Sequence, residues 1–232
     1  MLLPFNVITL FDLKEVHLKT LFYVLCAMTV LAGCARDRDL NPISNVQEAA
    51  KDRDLQRTFL GPCSLAGGEM LQSMGEIKGE RTVFRFEGNN ATRETRYYPN
   101  ADCSGDAGFI MQENGTFTLD KSKKANDGGY NIDFNWKTVK VIVSTEQGAQ
   151  AANSGLKPLC GLKDWKKAEK AQGRDVTPQA KDASCYNAAV PRRDYNIYRV
   201  DAGTLYLGRT SKANNAPNDR PTKLEGTKYA AK

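Results

Sequence analysis

From Gly79 onward the chain alternates apolar and polar residues with a period of two, the mark of half-buried strands. Thr82, Phe84 and Phe86 share one face and Val83, Arg85 and Glu87 the other, before Gly88-Asn89-Asn90 closes the run. Thr92 to Tyr98 predicts a second strand, ended by Pro99-Asn100. Phe109 to Gln112 and Thr116 to Leu119 flank Glu113-Asn114-Gly115, where Asn-Gly predicts a hairpin. The clearest alternation sets Tyr130, Ile132, Phe134 and Trp136 against Asn131, Asp133, Asn135 and Lys137. Val139, Val141 and Val143 continue on the opposite parity, which places a bulge or tight turn near Lys137-Thr138. Asp194 to Val200 and Thr204 to Arg209 flank Asp201-Ala202-Gly203 as a last hairpin.

Helix signals are confined to the middle of the chain. Ser144-Thr145-Glu146-Gln147 offers an S-x-x-Q capping box before an alanine-rich stretch ending at Gly155. Asp164 is placed to cap a second, lysine-rich helix running to Gly173. Seven or eight strands with one helical excursion predict a mainly β fold, an antiparallel meander curled into a barrel. Such an interior either fills with side chains or holds one small apolar ligand, and periodicity does not separate the two. The inward set that would line it is Phe84, Phe86, Tyr130, Ile132, Phe134, Trp136, Val139 and Val141.

The start of the chain reads differently. Thr20 to Leu31 is a mostly apolar run, long enough for a signal-peptide core and too short to span a bilayer. It ends in Leu31-Ala32-Gly33-Cys34, which matches the bacterial lipobox. There the cysteine sulfur takes a diacylglyceryl group and cleavage before that cysteine follows, with small residues letting the backbone enter the peptidase. The expected organisation is a signal peptide over 1–33, a charged flexible tether over 34–57 and a β-barrel domain over 58–232. The expected anchor is an acylated Cys34 in the bacterial envelope, and Ala35 as second residue points to the outer membrane. The tether, ARDRDLNPISNVQEAAKDRDLQR, has too few large apolar side chains to order itself.

Export changes the reading of the cysteines. Cys26 leaves with the signal and Cys34 is acylated, so Cys63, Cys103, Cys160 and Cys185 remain for an oxidising compartment. The local pairings Cys63–Cys103 and Cys160–Cys185 each enclose one block of sequence, and no C-x2-C pair favours zinc. The 232 residues carry a formal charge of +6, and 41% are hydrophobic at a mean hydropathy of −0.53, the balance of a folded domain. The only histidine, His17, lies in the predicted signal. The mature chain therefore excludes a Ser-His-Asp or Cys-His nucleophile, a histidine base and a His-ligated metal. No cofactor motif occurs, and no enzyme activity is expected. Ser154-Gly155-Leu156-Lys157 matches S-x-x-K but sits beside Pro158 and the end of a helix, where serine and lysine cannot share a helical turn. Asp52 and Asp54 read as solvated tether carboxylates. The basic clusters Lys121/Lys123/Lys124, Lys163/Lys166/Lys167/Lys170 and Arg192/Arg193 read as solvated faces, with no nucleic-acid partner.

One ordered series of residues resembles a known domain. It runs through Cys63, Phe84-Arg85-Phe86, Asn90, Thr92, Tyr97-Tyr98, Cys103 and Gly115-Thr116-Phe117. It continues through K-V-I-V-S-T-E at Lys140 to Glu146, Cys160, Cys185, Y-N-I-Y-R-V and L-Y-L-G. This order is similar to the APCDD-type domain, the lipocalin-like fold of the adenomatosis-polyposis-coli-down-regulated Wnt antagonists, over roughly Leu60 to Arg209. The resemblance implies a single lipocalin-like barrel or half-barrel, with one or two short helices before the last strands and an apolar cavity for acyl chains. The chain departs from that family in having one such domain and a bacterial anchor, which removes Wnt as ligand. It also has Phe59-Leu60-Gly61 where a lipocalin carries G-x-W. Two functions follow as expectations. One is an anchored barrel binding a lipid or other acyl-bearing ligand. The other is an anchored protein-interaction or inhibitor module on a filled barrel. The sequence names no oligomeric state.

Overall fold

The alternating segments close on themselves. A computed structural model describes residues 52–67, 77–154, 158–169, 172–182, 185, 189–209, 214–224 and 226–232. The expected signal peptide, Cys34 and most of the expected tether lie outside the described residues. Strands β1 (Thr58–Leu65), β2 (Gly79–Glu87), β3 (Asn90–Tyr98), β4 (Phe109–Lys124) and β5 (Tyr130–Val143) form an antiparallel meander. After the two-residue β6 (Arg174–Asp175) come β7 (Arg192–Asp201), β8 (Thr204–Leu207) and β9 (Lys228–Ala231). Pairing of β9 with β1, and of β7 with β5, closes eight strands into a barrel, while β6 lies along the far half of β5. Closure satisfies the strand edges internally.

The local reasons are visible in the registers. In the β7–β8 hairpin Ala202 and Gly203 both have positive φ, 46° and 76°, as a tight two-residue turn requires. The hairpin expected at Glu113-Asn114-Gly115 does not form: β4 runs unbroken for 16 residues. Both flanks of Asn-Gly pair with the same neighbours, β3 and β5, so a continuous ladder wins over the turn. Asn114 faces Thr138 and Gly115 faces Trp136, which leaves Lys137 as the extra residue of a bulge, where the parity switch predicted one. Gly115 is required there because a Cβ would run into the backbone of Asn135 and Trp136.

One α-helix, α1 (Glu146–Asn153), follows β5. Its cap is Thr145, one residue later than expected; the hydroxyl accepts from the Gly148 N–H at 2.9 Å. Gly155, the expected helix end, lies outside the described residues. The lysine-rich helix expected from Asp164 is replaced by an irregular segment over 162–168, with Asp164 itself at a positive φ of 64°. Its backbone is already bonded: Trp165 N–H donates to the Asn153 side chain at 2.9 Å, Asn153 donates to the Trp165 carbonyl at 2.8 Å, and Ala168 N–H donates to Val143. That pinning buries Trp165 in the core, which a helix with a lysine-rich surface would not gain.

Two disulfides join Cys63 to Cys103 and Cys160 to Cys185, the local pairing. Residues 52–57, included in the expected tether, are packed on the barrel. Leu55 is fully buried, and Asp52 accepts from the Tyr198 hydroxyl at 2.7 Å and pairs with Lys121 at 3.1 Å. Strand β9 was not apparent in the sequence, because four residues are too few to establish a period.

Helix α1 approaches the β3–β4 connection backbone to backbone, since a Cβ on Gly148 would overlap the Gly108 carbonyl. Gly148→Ala should therefore destabilise the fold by about 1–3 kcal/mol, a Tm loss of several degrees in thermal unfolding. An unchanged Tm would contradict this packing.

Candidate functional site

Strand parity places charged residues inside the barrel. On β2 the inward residues are Phe84 and Phe86; the register sets Arg93 opposite Phe84 and Ala91 opposite Phe86, so Arg93 points inward. On β4, Glu113 faces Arg93, and Phe117 and Met111 share its parity. On β7, Arg192 faces Trp136, Asp194 faces Phe134 and Asn196 faces Ile132. Four charges, Arg93, Glu113, Arg192 and Asp194, thus meet in the interior.

They pair with one another. Arg93 Nε donates to Glu113 Oε2, and Arg192 Nη2 lies 2.7 Å from Glu113 Oε1. Arg192 Nε donates to Asp194 Oδ1 at 3.1 Å, and Trp136 Nε1 donates to Asp194 Oδ2 at 2.8 Å. The Arg93 guanidinium lies over the Trp136 ring, 5.1 Å from its centroid. Burial alone would raise the Glu113 carboxyl, but Arg93 and Arg192 outweigh it and hold it below the ordinary carboxylate range. Burial likewise opposes the Arg93 charge, yet Glu113 and Asp194 keep that group above the ordinary arginine range. Tyr229 is pushed up by burial against the pull of Arg93.

Apolar side chains of one continuous core cluster flank this polar group on both sides. On one side Phe59, Phe84, Phe86, Phe117 and Phe134 interlock, with Phe86 and Phe117 in edge contact at 5.1 Å and Phe84 and Phe86 stacked at 6.1 Å. On the other, Tyr97 and Phe109 pack at 4.8 Å among Met111, Val141, Val143 and Trp165. Beside the polar layer, toward β7, β8 and β9, lies an open cavity of about 280 Å³. Its inner wall is Phe84, Arg93, Phe134, Trp136, Asp194 and Asn196; its mouth is Arg209, Asn214, Gly226 and Thr227, with Leu207 and Tyr229 between.

The eight residues expected to line one apolar cavity therefore divide. Phe84, Phe134 and Trp136 border the cavity. Phe86, Ile132 and Val139 are packed core, 0–1% exposed and away from it. Val141 borders a smaller hollow of about 110 Å³ beside Trp165 and Arg174. Tyr130 is half-buried beneath Lys124. Seven of the eight nevertheless belong to one continuous buried cluster, with Tyr130 packed against it, as the sequence predicts. Arg192 is not on a solvated face, since its pairing with Glu113 draws it inward. Asp52 is likewise no solvated carboxylate. Ser154 caps α1, its hydroxyl donating to the Ala151 carbonyl at 2.9 Å, while Lys157 lies outside the described residues.

Sequence reasoning missed Arg93, Glu113, Arg192, Asp194 and Asn196. The available signal was charge on an apolar parity: Arg93 continues the series of Ala91 and Tyr97, and Glu113 that of Phe109 and Met111. No protein-family description and no curated protein matches this chain.

Glu113 ionises more readily folded than unfolded, so it stabilises the fold fully above its unfolded value near 4.5, and that gain is lost as pH falls through the lower folded value. Glu113→Gln should cost about 3 kcal/mol at pH 7, and its deficit relative to wild type should shrink below pH 4.5. Denaturant unfolding at stepped pH reads both; a deficit unchanged down to pH 3 or so would contradict the clamp.

Proposed function

We propose that the protein is a lipid-anchored envelope binding module, not an enzyme, whose barrel holds a small acyl-bearing ligand in the cavity beside β7, β8 and β9. The observation that carries this reading is the cavity itself, which sets aromatic walls beside cationic and amide groups. Ligand sites combine apolar lining with a few placed polar groups in this way. The volume, about 280 Å³, is that of roughly nine waters at about 30 Å³ each, and suits a short chain better than a full membrane acyl chain.

The anchor is proposed on the lipobox, with Cys34 acylated and the protein held at the outer membrane. Kinship with the APCDD-type domain is proposed on the ordered cysteines and aromatics, and its acyl-binding role comes with it. A second reading, an anchored interaction or inhibitor module, is favoured by the ring-packed layer around Phe86 and Phe117, which leaves no room for a chain there.

Native mass spectrometry of the protein purified from its membrane separates the two. The binding module should carry an acylated N-terminal Cys34 and a small noncovalent ligand released on mild activation. An unmodified Cys34 would refute the anchor; a ligand-free protein, with no change in Trp136 fluorescence on adding short-chain fatty acids, would refute the acyl-binding reading.

A further inference from the structure

We propose that the cavity takes an organic oxyanion head first, with a carboxylate or phosphate seated on the Nη atoms of Arg93 and the apolar group directed toward the mouth. The inference rests on the binding reading above and names the chemistry of its ligand. Within the polar layer only Arg93 Nε is used, donating to Glu113. Arg93 Nη1 lies 3.9 Å from Asp194 Oδ2, beyond hydrogen-bond reach, and both Asp194 oxygens already accept from Trp136 and Arg192. The N–H groups on the two Nη atoms therefore have no hydrogen-bond acceptor among the described residues, although the side chain is only 28% exposed and borders the cavity. A guanidinium presents such donors as a planar fork that matches two oxygens of one anion.

Charge points the same way. Glu113 and Asp194 balance Arg93 and Arg192, while Arg209 at the mouth makes no ion pair among the described residues. The site is left with one positive charge in excess, which a single anionic head neutralises. Orientation follows from the walls. A tail entering first would lay methylenes against Arg93, Asp194 and Asn196 and strip their water without replacing it. A head entering first satisfies Arg93 and leaves the chain beside Phe84, Leu207 and Tyr229.

Octanoate, octyl phosphate, octanol and inorganic phosphate separate the contributions of head and tail. Each is titrated calorimetrically into the full chain held in lipid nanodiscs, with empty nanodiscs subtracted. At least one octyl oxyanion should bind tenfold or more tighter than octanol, and octyl phosphate, where it binds, tenfold or more tighter than inorganic phosphate. Binding of only one oxyanion supports the proposal and names the head. In folded Arg93→Gln protein the preference over octanol should vanish; if that variant does not fold, the wild-type series decides alone. A preference below tenfold overturns the proposal. So does one that survives Arg93→Gln and is removed by Arg209→Gln, which puts the head at the mouth. If none of the four binds, the ligand-binding reading itself falls and the inference with it.

Discussion

A carboxylate buried inside a β-barrel, clamped between two guanidinium groups, is the constraint on which the rest of the structure depends. Glu113 on β4 takes Arg93 from β3 on one side and Arg192 from β7 on the other. Burying one such charge unpaired costs several kcal/mol, so all three strands must close in register for the ionised form to persist. Barrel closure and charge satisfaction are thus one event: β3–β4 pairing supplies Arg93, and β5–β7 pairing supplies Arg192 and Asp194. The partners also fix the indole of Trp136, which donates to Asp194 and lies under Arg93.

The clamp decides where the barrel is solid and where it is open. Interlocked phenylalanine rings fill the interior on one side of it, and Tyr97, Phe109, Met111 and Trp165 fill the other. Between them, guanidinium and carboxylate groups need room and water-like partners, which aliphatic packing cannot supply. The cavity lies beside them for that reason. An all-apolar layer at the same level would pack shut, and the molecule would then offer only its surface. The binding function proposed for this barrel is in this sense a consequence of how it keeps its interior charges satisfied.

Much of this was legible in the sequence. Phe84, Phe86, Ile132, Phe134 and Trp136 alternate cleanly, and each is buried because its strand has one face in the core. The parity switch after Trp136 located the bulge, since a period of two cannot change phase without an inserted residue. Asn114-Gly115 misled because the same dipeptide serves a tight turn and a close strand approach, and only the neighbours decide which. Lys166, Lys167 and Lys170 after Asp164 suggested a helix by composition, whereas Asn153 and Val143 capture the backbone of Trp165 and Ala168 from elsewhere in the chain. The interior charges stayed hidden for a similar reason. Arg93, Glu113 and the Arg192/Asp194 pair lie far apart in sequence, each reading alone as surface, and only closure brings them together.

Water is the most direct witness to the central claim that the polar layer holds the barrel open beside it. Water–protein nuclear Overhauser measurements on labelled protein should give cross-peaks between water and the side-chain N–H groups of Arg93 and Asn196, and none to the rings of Phe86 and Phe117. Silence at Arg93 and Asn196, or water contacts at Phe86 and Phe117, would contradict an interior divided between a wet polar layer and a dry aromatic one.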